Sequence, residues 1–162
     1  MNAGLVCFVN QHAKDKRAFW NAVEETVAGL PDACGCYVFL VGTRAWYIGK
    51  AEKQTFRMEC FSAHKLNQYN KALQYVQSVP RLIFLVKITP AGYAAKHSKN
   101  GHKDIELLEK LLIGVALRKN PDILNVKDTK LLREMHVPGL INTGKGEGKA
   151  HAVQALRKAV GS

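Results

Sequence analysis

A mixed α/β (α+β) domain built on a small, mainly antiparallel three-stranded sheet flanked by helices is what this sequence predicts. Three observations predict it. Two short apolar runs rich in β-branched and aromatic residues, within 35–50, flank the turn-forming Gly42-Thr43-Arg44, which is the pattern of a β-hairpin. A third run, Arg81 to Thr89, is almost continuously apolar, as expected of a central strand covered on both faces. Segments with apolar residues at helical spacing surround these runs, foremost the one from Asp104 to Lys119.

The 162 residues fit a single domain, 1–162, long enough to bury a core. The longest apolar stretch, Leu111 to Leu117, is too short to span a bilayer, and Gln11, His12, Lys14 and Asp15 interrupt any signal-peptide layout, so the expectation is an intracellular, cytoplasmic protein without a membrane role. Lys and Arg total 24 against 13 acidic residues, a formal charge of +11. Such an excess suits a polyanionic partner, which would be held in a salt-dependent way. The plainer alternative is a merely basic soluble protein. Cys7, Cys34, Cys36 and Cys60 form no CxxC pair and no zinc-type spacing, and they read as reduced, mostly buried thiols.

Along the chain, residues 1–33 read as an N-terminal helical extension. An apolar start and a polar linker lead to a helix that Asp15 can cap, running to about Ala28 with Phe19, Trp20, Val23 and Val27 on one face, and Gly29 ends it. After the hairpin, Lys53 to about Leu66 is expected to be one helix. That would put Arg57, Phe61 and His64 on a single face, a cation beside an imidazole. Gln68 to Gln77 continues as a second helical segment. Pro80 opens the third strand and Pro90-Ala91-Gly92 closes it, and residues 96–103 form a basic loop. Asp104 is expected to cap the helix that follows, which buries Ile105, Leu108, Leu112 and Ala116. Residues 126–162 form a basic C-terminal extension with a helix from about Lys149 to Val160.

Glu109 stands out in that helix. At 100° per residue it lies within about 40° of the centre of the buried stripe, whereas Glu106 lies about 100° away with Lys110 at i+4 to pair with. A carboxylate on an apolar face costs several kcal/mol unless it is paired or bound to metal. Glu109 therefore needs a reason to be there.

The ordered set Gly35-x-Tyr37, Tyr47-Ile48-Gly49, Arg57, Glu109 and Asn125 resembles the GIY-YIG nuclease superfamily over 34–125, more than half of the chain. Each tyrosine taken alone reads as an ordinary strand aromatic. The resemblance implies a metal-dependent endonuclease that hydrolyses phosphodiester bonds, in DNA first, with RNA as the other polyanion to test. By that resemblance Glu109 holds one divalent metal, Mg2+ with Mn2+ as substitute. Arg57 clamps the scissile phosphate, Tyr37 takes a proton from the attacking water, and Tyr47 orients water or phosphate. His64 matches a histidine of some branches, Gly35 and Gly49 shape the strands, and Asn125 ties the following loop to the site. Lys50 and Lys53 beside the motif, with Lys145 and Lys149 in the C-terminal extension, would join Arg57 in contacting the nucleic-acid backbone. The sequence departs from the family pattern twice: the first motif reads Gly-Cys-Tyr, and Asn125 comes sixteen positions after Glu109, longer than usual.

A non-catalytic nucleic-acid-binding module on the same scaffold is the main alternative, and a purely protein-binding domain is a third. Gly139 to Gly146 nearly matches a P-loop, but Gly146 stands where the Ser or Thr would be. A homodimer would allow both strands of a palindrome to be cut.

Overall fold

The computed structural model describes residues 2–8, 16–138 and 143–160. Four strands make one antiparallel sheet: β1 (Asn2–Phe8), β2 (Gly35–Val41), β3 (Arg44–Ala51) and β4 (Pro80–Val86), in the order β1-β4-β2-β3. The predicted hairpin forms, with Tyr37 opposite Gly49, and the predicted third strand pairs along the other side of β2, with Tyr37 opposite Phe84. A fourth strand joins them. The apolar N-terminal residues, expected only to lead into a helix, pair with β4 as an edge.

The pleat sends alternate side chains of β2 to opposite faces. Tyr37 and Phe39 join Leu82 and Phe84 in the main core, under Trp20 and Val23 of α1 (Lys16–Thr26), Phe56 of α2 (Phe56–Glu59), and Tyr69 and Ala72 of α3 (Ala63–Tyr75). Phe39 and Tyr69 stack with ring centroids 4.1 Å apart. The opposite face carries Cys36 and Ile48, covered by Ile105 and Ile113 of α4 (Lys103–Lys119), with Leu132 of α5 (Val126–Glu134) packed alongside. Helices thus cover both faces of the sheet.

A bulge interrupts the hairpin. Leu40 pairs with Ala45 and Phe39 with Tyr47, so Trp46 is the extra residue. Its indole is buried and stacks on Tyr75 of α3, centroids 5.3 Å apart.

The helical reading of 53–77 is corrected. Instead of a helix from Lys53 to Leu66, the chain makes the single turn of α2, breaks at Cys60–Ser62 and begins α3 at Ala63. Thr55 caps α2 by accepting from the Met58 N–H, and Ser62 occupies the cap position of α3. The break lets Cys60 and Phe61 both enter the core, and the Phe61 carbonyl accepts from Lys16 Nζ at 2.8 Å. One smaller boundary also moves. His102, not Asp104, precedes α4, and Asp104 lies in its first turn, bonded by Lys87 at 2.8 Å. Asp15, the expected cap of α1, lies outside the described residues, as do Gly139 to Asn142 of the near P-loop stretch.

The basic C-terminal helix forms as α6 (His151–Val160), after a short 3-10 turn at Glu147–Lys149. Among the described residues no helix is long and apolar enough to cross a membrane. Cys34, Cys36 and Cys60 are buried free thiols. Cys36 donates to the Ile105 carbonyl, and burial pushes its thiol up to about 12.

Candidate functional site

An edge strand presents a row of outward backbone groups that must be paired, covered or hydrated. On β3 that row is covered by residues 120–125, which follow α4. Asn120 Nδ2 donates to the Ala45 carbonyl at 2.8 Å, and the Leu124 N–H donates to the Trp46 carbonyl at 2.8 Å. Asn125 then meets both groups of Ile48, accepting from its N–H at 2.9 Å and donating to its carbonyl at 2.6 Å. Asn125 is buried, and it ties the loop beyond the acidic helix to the tyrosine strand. Past Ile48 the next outward position is Lys50, and there the cleft begins.

The cleft has a volume of about 350 Å³ and is lined by Lys50, Glu52, Lys53, Gln54, Glu59, Lys65 and Glu109. Helices on opposite faces of the sheet reach around the same strand edge, α3 supplying Lys65 and α4 supplying Glu109. Two ion-pair groups result. Lys50 Nζ lies 3.5 Å from Glu109 and 3.3 Å from Glu52, and Lys65 Nζ lies 3.2 Å from Glu59. The Glu109 side chain is only 12% exposed, as its place near the apolar stripe requires. Burial alone would pull the Lys50 ammonium down, but Glu109 and Glu52 more than offset it and hold its pKa above the usual lysine range.

Lys65 also donates to the Tyr47 hydroxyl at 2.5 Å. Burial raises the Tyr47 phenol, and Lys65 partly opposes that rise. For Lys65, burial pulls downward while Tyr47 and Glu59 pull upward and prevail, so the group stays a cation. Gln54 Nε2 bonds Glu59 from the far side.

Glu52 has a second duty. Its carboxylate accepts from the His102 N–H at 3.1 Å and its carbonyl accepts from the Ser98 N–H at 3.0 Å, so it pins the basic loop beside the cleft. Gly101, at φ +71°, brings its backbone against that carboxylate, where a Cβ would collide.

The structure gathers some of the expected site residues and separates others. Lys50, Lys53 and Glu109 line the cleft, and Tyr47 reaches its wall through Lys65. Tyr37 does not. It is 0% exposed, and its ring lies across Gly49, where a Cβ would overlap the phenol. Burial pushes its hydroxyl well above the phenol range, so the expected encounter with an attacking water does not fit this position. Gly35 is likewise a close approach, set against the Leu85 carbonyl.

Arg57 and His64 do not share a face, because the helix breaks between them. Arg57 is 42% exposed and turns to Asp32 at 3.4 Å, and His64 is exposed on α3; neither lines the cleft. Lys145 and Lys149 are exposed in the C-terminal segment, where His136 and Glu147 meet at 2.7 Å. The sequence reading missed Glu52, Gln54, Glu59 and Lys65. On one continuous helix Glu59 and Lys65 would stand about 120° apart, and only the break brings them together.

Among the described residues no group of three or more His, Cys, Asp or Glu side chains converges as a metal site. Glu109 and Glu52 each set a carboxylate oxygen against Lys50 Nζ, at 3.5 and 3.3 Å. That donor set suits a hard divalent cation which keeps several waters and takes the rest of its shell from a substrate. Comparison with protein-family models, curated proteins and solved structures finds no match to this chain.

Proposed function

We propose that this protein is a metal-dependent endonuclease of the GIY-YIG type, hydrolysing phosphodiester bonds in DNA. The observation that carries the reading is the meeting of Glu109 from α4 with Lys50, Tyr47 and Lys65 at one cleft on the edge of the Tyr-Ile-Gly strand. Phosphodiester hydrolysis joins a water oxygen to phosphorus and breaks one P–O ester bond. A proton leaves the water and one reaches the departing oxygen. The charge of the diester repels nucleophiles, so the site must neutralise it as bonds change.

Glu109, with Glu52 beside it, would hold Mg2+ or Mn2+, which when bound supplies positive charge at the phosphate. Lys50, displaced from the carboxylates, is placed to meet a phosphate oxygen. Tyr47 is the phenol nearest the reacting centre and orients groups there. Lys53 and the basic loop at 96–103 give backbone affinity on one side, and Arg57, Lys145 and Lys149 add charge outside the cleft.

A second reading has a specific observation in its favour. Tyr37 is sealed in the core and Arg57 turns away from the cleft, which suits a module that grips nucleic acid without cutting it. One experiment decides between them: purified protein, supercoiled plasmid and Mg2+, beside Glu109→Ala and an EDTA control. Nicking by the wild type, lost in Glu109→Ala and in EDTA while binding persists, supports the nuclease. Salt-sensitive binding without cutting, across Mg2+ and Mn2+ and with RNA as well as DNA, supports the binding module.

A further inference from the structure

We infer that Lys65 is a second phosphate-binding group of this cleft, beside Lys50, held in place by the Tyr47 hydroxyl and the Glu59 carboxylate. The inference rests on the nucleic-acid reading above and assigns this phosphate contact to a lysine in place of Arg57. Lys65 is a point-charge donor with three N–H groups. One meets the Tyr47 oxygen at 2.5 Å and a second faces Glu59 at 3.2 Å, while the side chain itself forms part of the cleft wall.

The ammonium-bearing side chain is only 15% exposed, so its position is fixed and its charge is weakly screened. The ammonium also lies 4.9 Å from the centroid of the Tyr47 ring, a further constraint on where the chain can sit. The groups around it are Glu59 from α2, Tyr47 from β3 and, across the cleft, Glu109 from α4. With Glu59 neutralising part of its charge, Lys65 contributes through one directed bond to a phosphate oxygen. Arg57 is fixed by a single long bond to an exposed Asp32 and has no comparable seat.

The test is DNA binding measured against salt concentration, without divalent metal, for wild type, Lys65→Met, Lys65→Arg and Arg57→Met. Removing one phosphate-binding cation lowers the slope of log K against log salt by about 0.9. The expected result is that decrease in Lys65→Met and its restoration in Lys65→Arg. Glu59→Gln should leave the slope at or above the wild-type value, because the lysine charge is retained and the carboxylate that partly neutralises it is gone; a slope decrease there would count against the inference. A merely structural role would shift affinity in Lys65→Met with the slope unchanged, and that outcome overturns the inference while leaving nucleic-acid binding intact. A slope decrease in Arg57→Met but not in Lys65→Met would return the phosphate to Arg57. Absence of any salt-dependent binding by the wild type overturns both this inference and the reading beneath it.

Discussion

Asn125 holds Ile48 by both of its backbone groups, so one side chain beyond α4 completes the hydrogen bonding of the edge strand at the residue between Tyr47 and Gly49. Replacing it with alanine leaves a donor and an acceptor unpaired in a buried place, each costing about 1–3 kcal/mol. Asn125→Ala should therefore lower Tm by about 4–24 °C in a thermal melt, given about 2–4 °C per kcal/mol for a chain of this size. An unchanged Tm would mean that the loop is not held by this residue.

Gly49 makes room for the Tyr37 ring in the same strand. Gly49→Ala forces a methyl group into the phenol, and overpacking of that kind costs about 1–3 kcal/mol. The double variant Gly49→Ala with Tyr37→Ala should recover part of that loss relative to Tyr37→Ala alone, measured by urea unfolding. Strict additivity would deny the contact.

The two tyrosines of the motif should separate in a cleavage assay. Tyr47 is bonded to a cleft lysine and Tyr37 is not exposed at all. Tyr47→Phe is expected to reduce cleavage by at least about tenfold, the effect of removing a group that acts in the transition state. Tyr37→Phe should cost less. The reverse ranking would place the chemistry on the other side of β3.

Glu109→Gln should abolish metal-dependent cleavage, by at least about a hundredfold. Lys50 keeps Glu52 as a partner at 3.3 Å, and circular dichroism of the variant would show that the fold is retained. Cleavage that survived this substitution would remove Glu109 from the role proposed for it.

Alkaline pH gives an independent check on burial. The phenols of Tyr37, Tyr47 and Tyr69 are all raised in the fold, chiefly by burial, and Lys65 is raised as well. A group whose pKa is higher folded than unfolded stabilises fully below its unfolded value and loses that contribution as pH climbs through its folded one. Stability should thus hold to about pH 10 and fall above it, since free phenols titrate near 10. Tyr37→Phe should make the fall shallower, and denaturant titrations between pH 7 and 11 would show it.

Much of the fold could be read from the chain, for identifiable reasons. The β2–β3 hairpin and β4 carry strong local patterns, and α4 has apolar spacing and a clear C-terminal end before Asn120-Pro121. The break at Cys60–Ser62 was harder, because neither Gly nor Pro marks it. Thr55 and Ser62 are both N-cap residue types, and reading them as two starts would have divided the helix correctly. That single division decides the site, since it separates His64 from Arg57 and turns Lys65 towards Glu59 and Tyr47. Glu109 was legible because its position in the buried stripe is a local property. The burial of Tyr37 was not, because it depends on Phe56 and Phe84 arriving from distant segments. β1 escaped notice because an edge strand needs only one partner and little pattern of its own.

The cover over the β3 edge also sets an order of events. The hairpin needs β4 and its covering helices to be stable, the cleft has no second wall until α4 follows, and no secured edge until Asn125 arrives. A growing chain that ends before α4 holds the tyrosines and lysines without Glu109 opposite them. The cleft thus has all its walls only in a chain that extends through α4, and its edge is tied down only in one that includes Asn125.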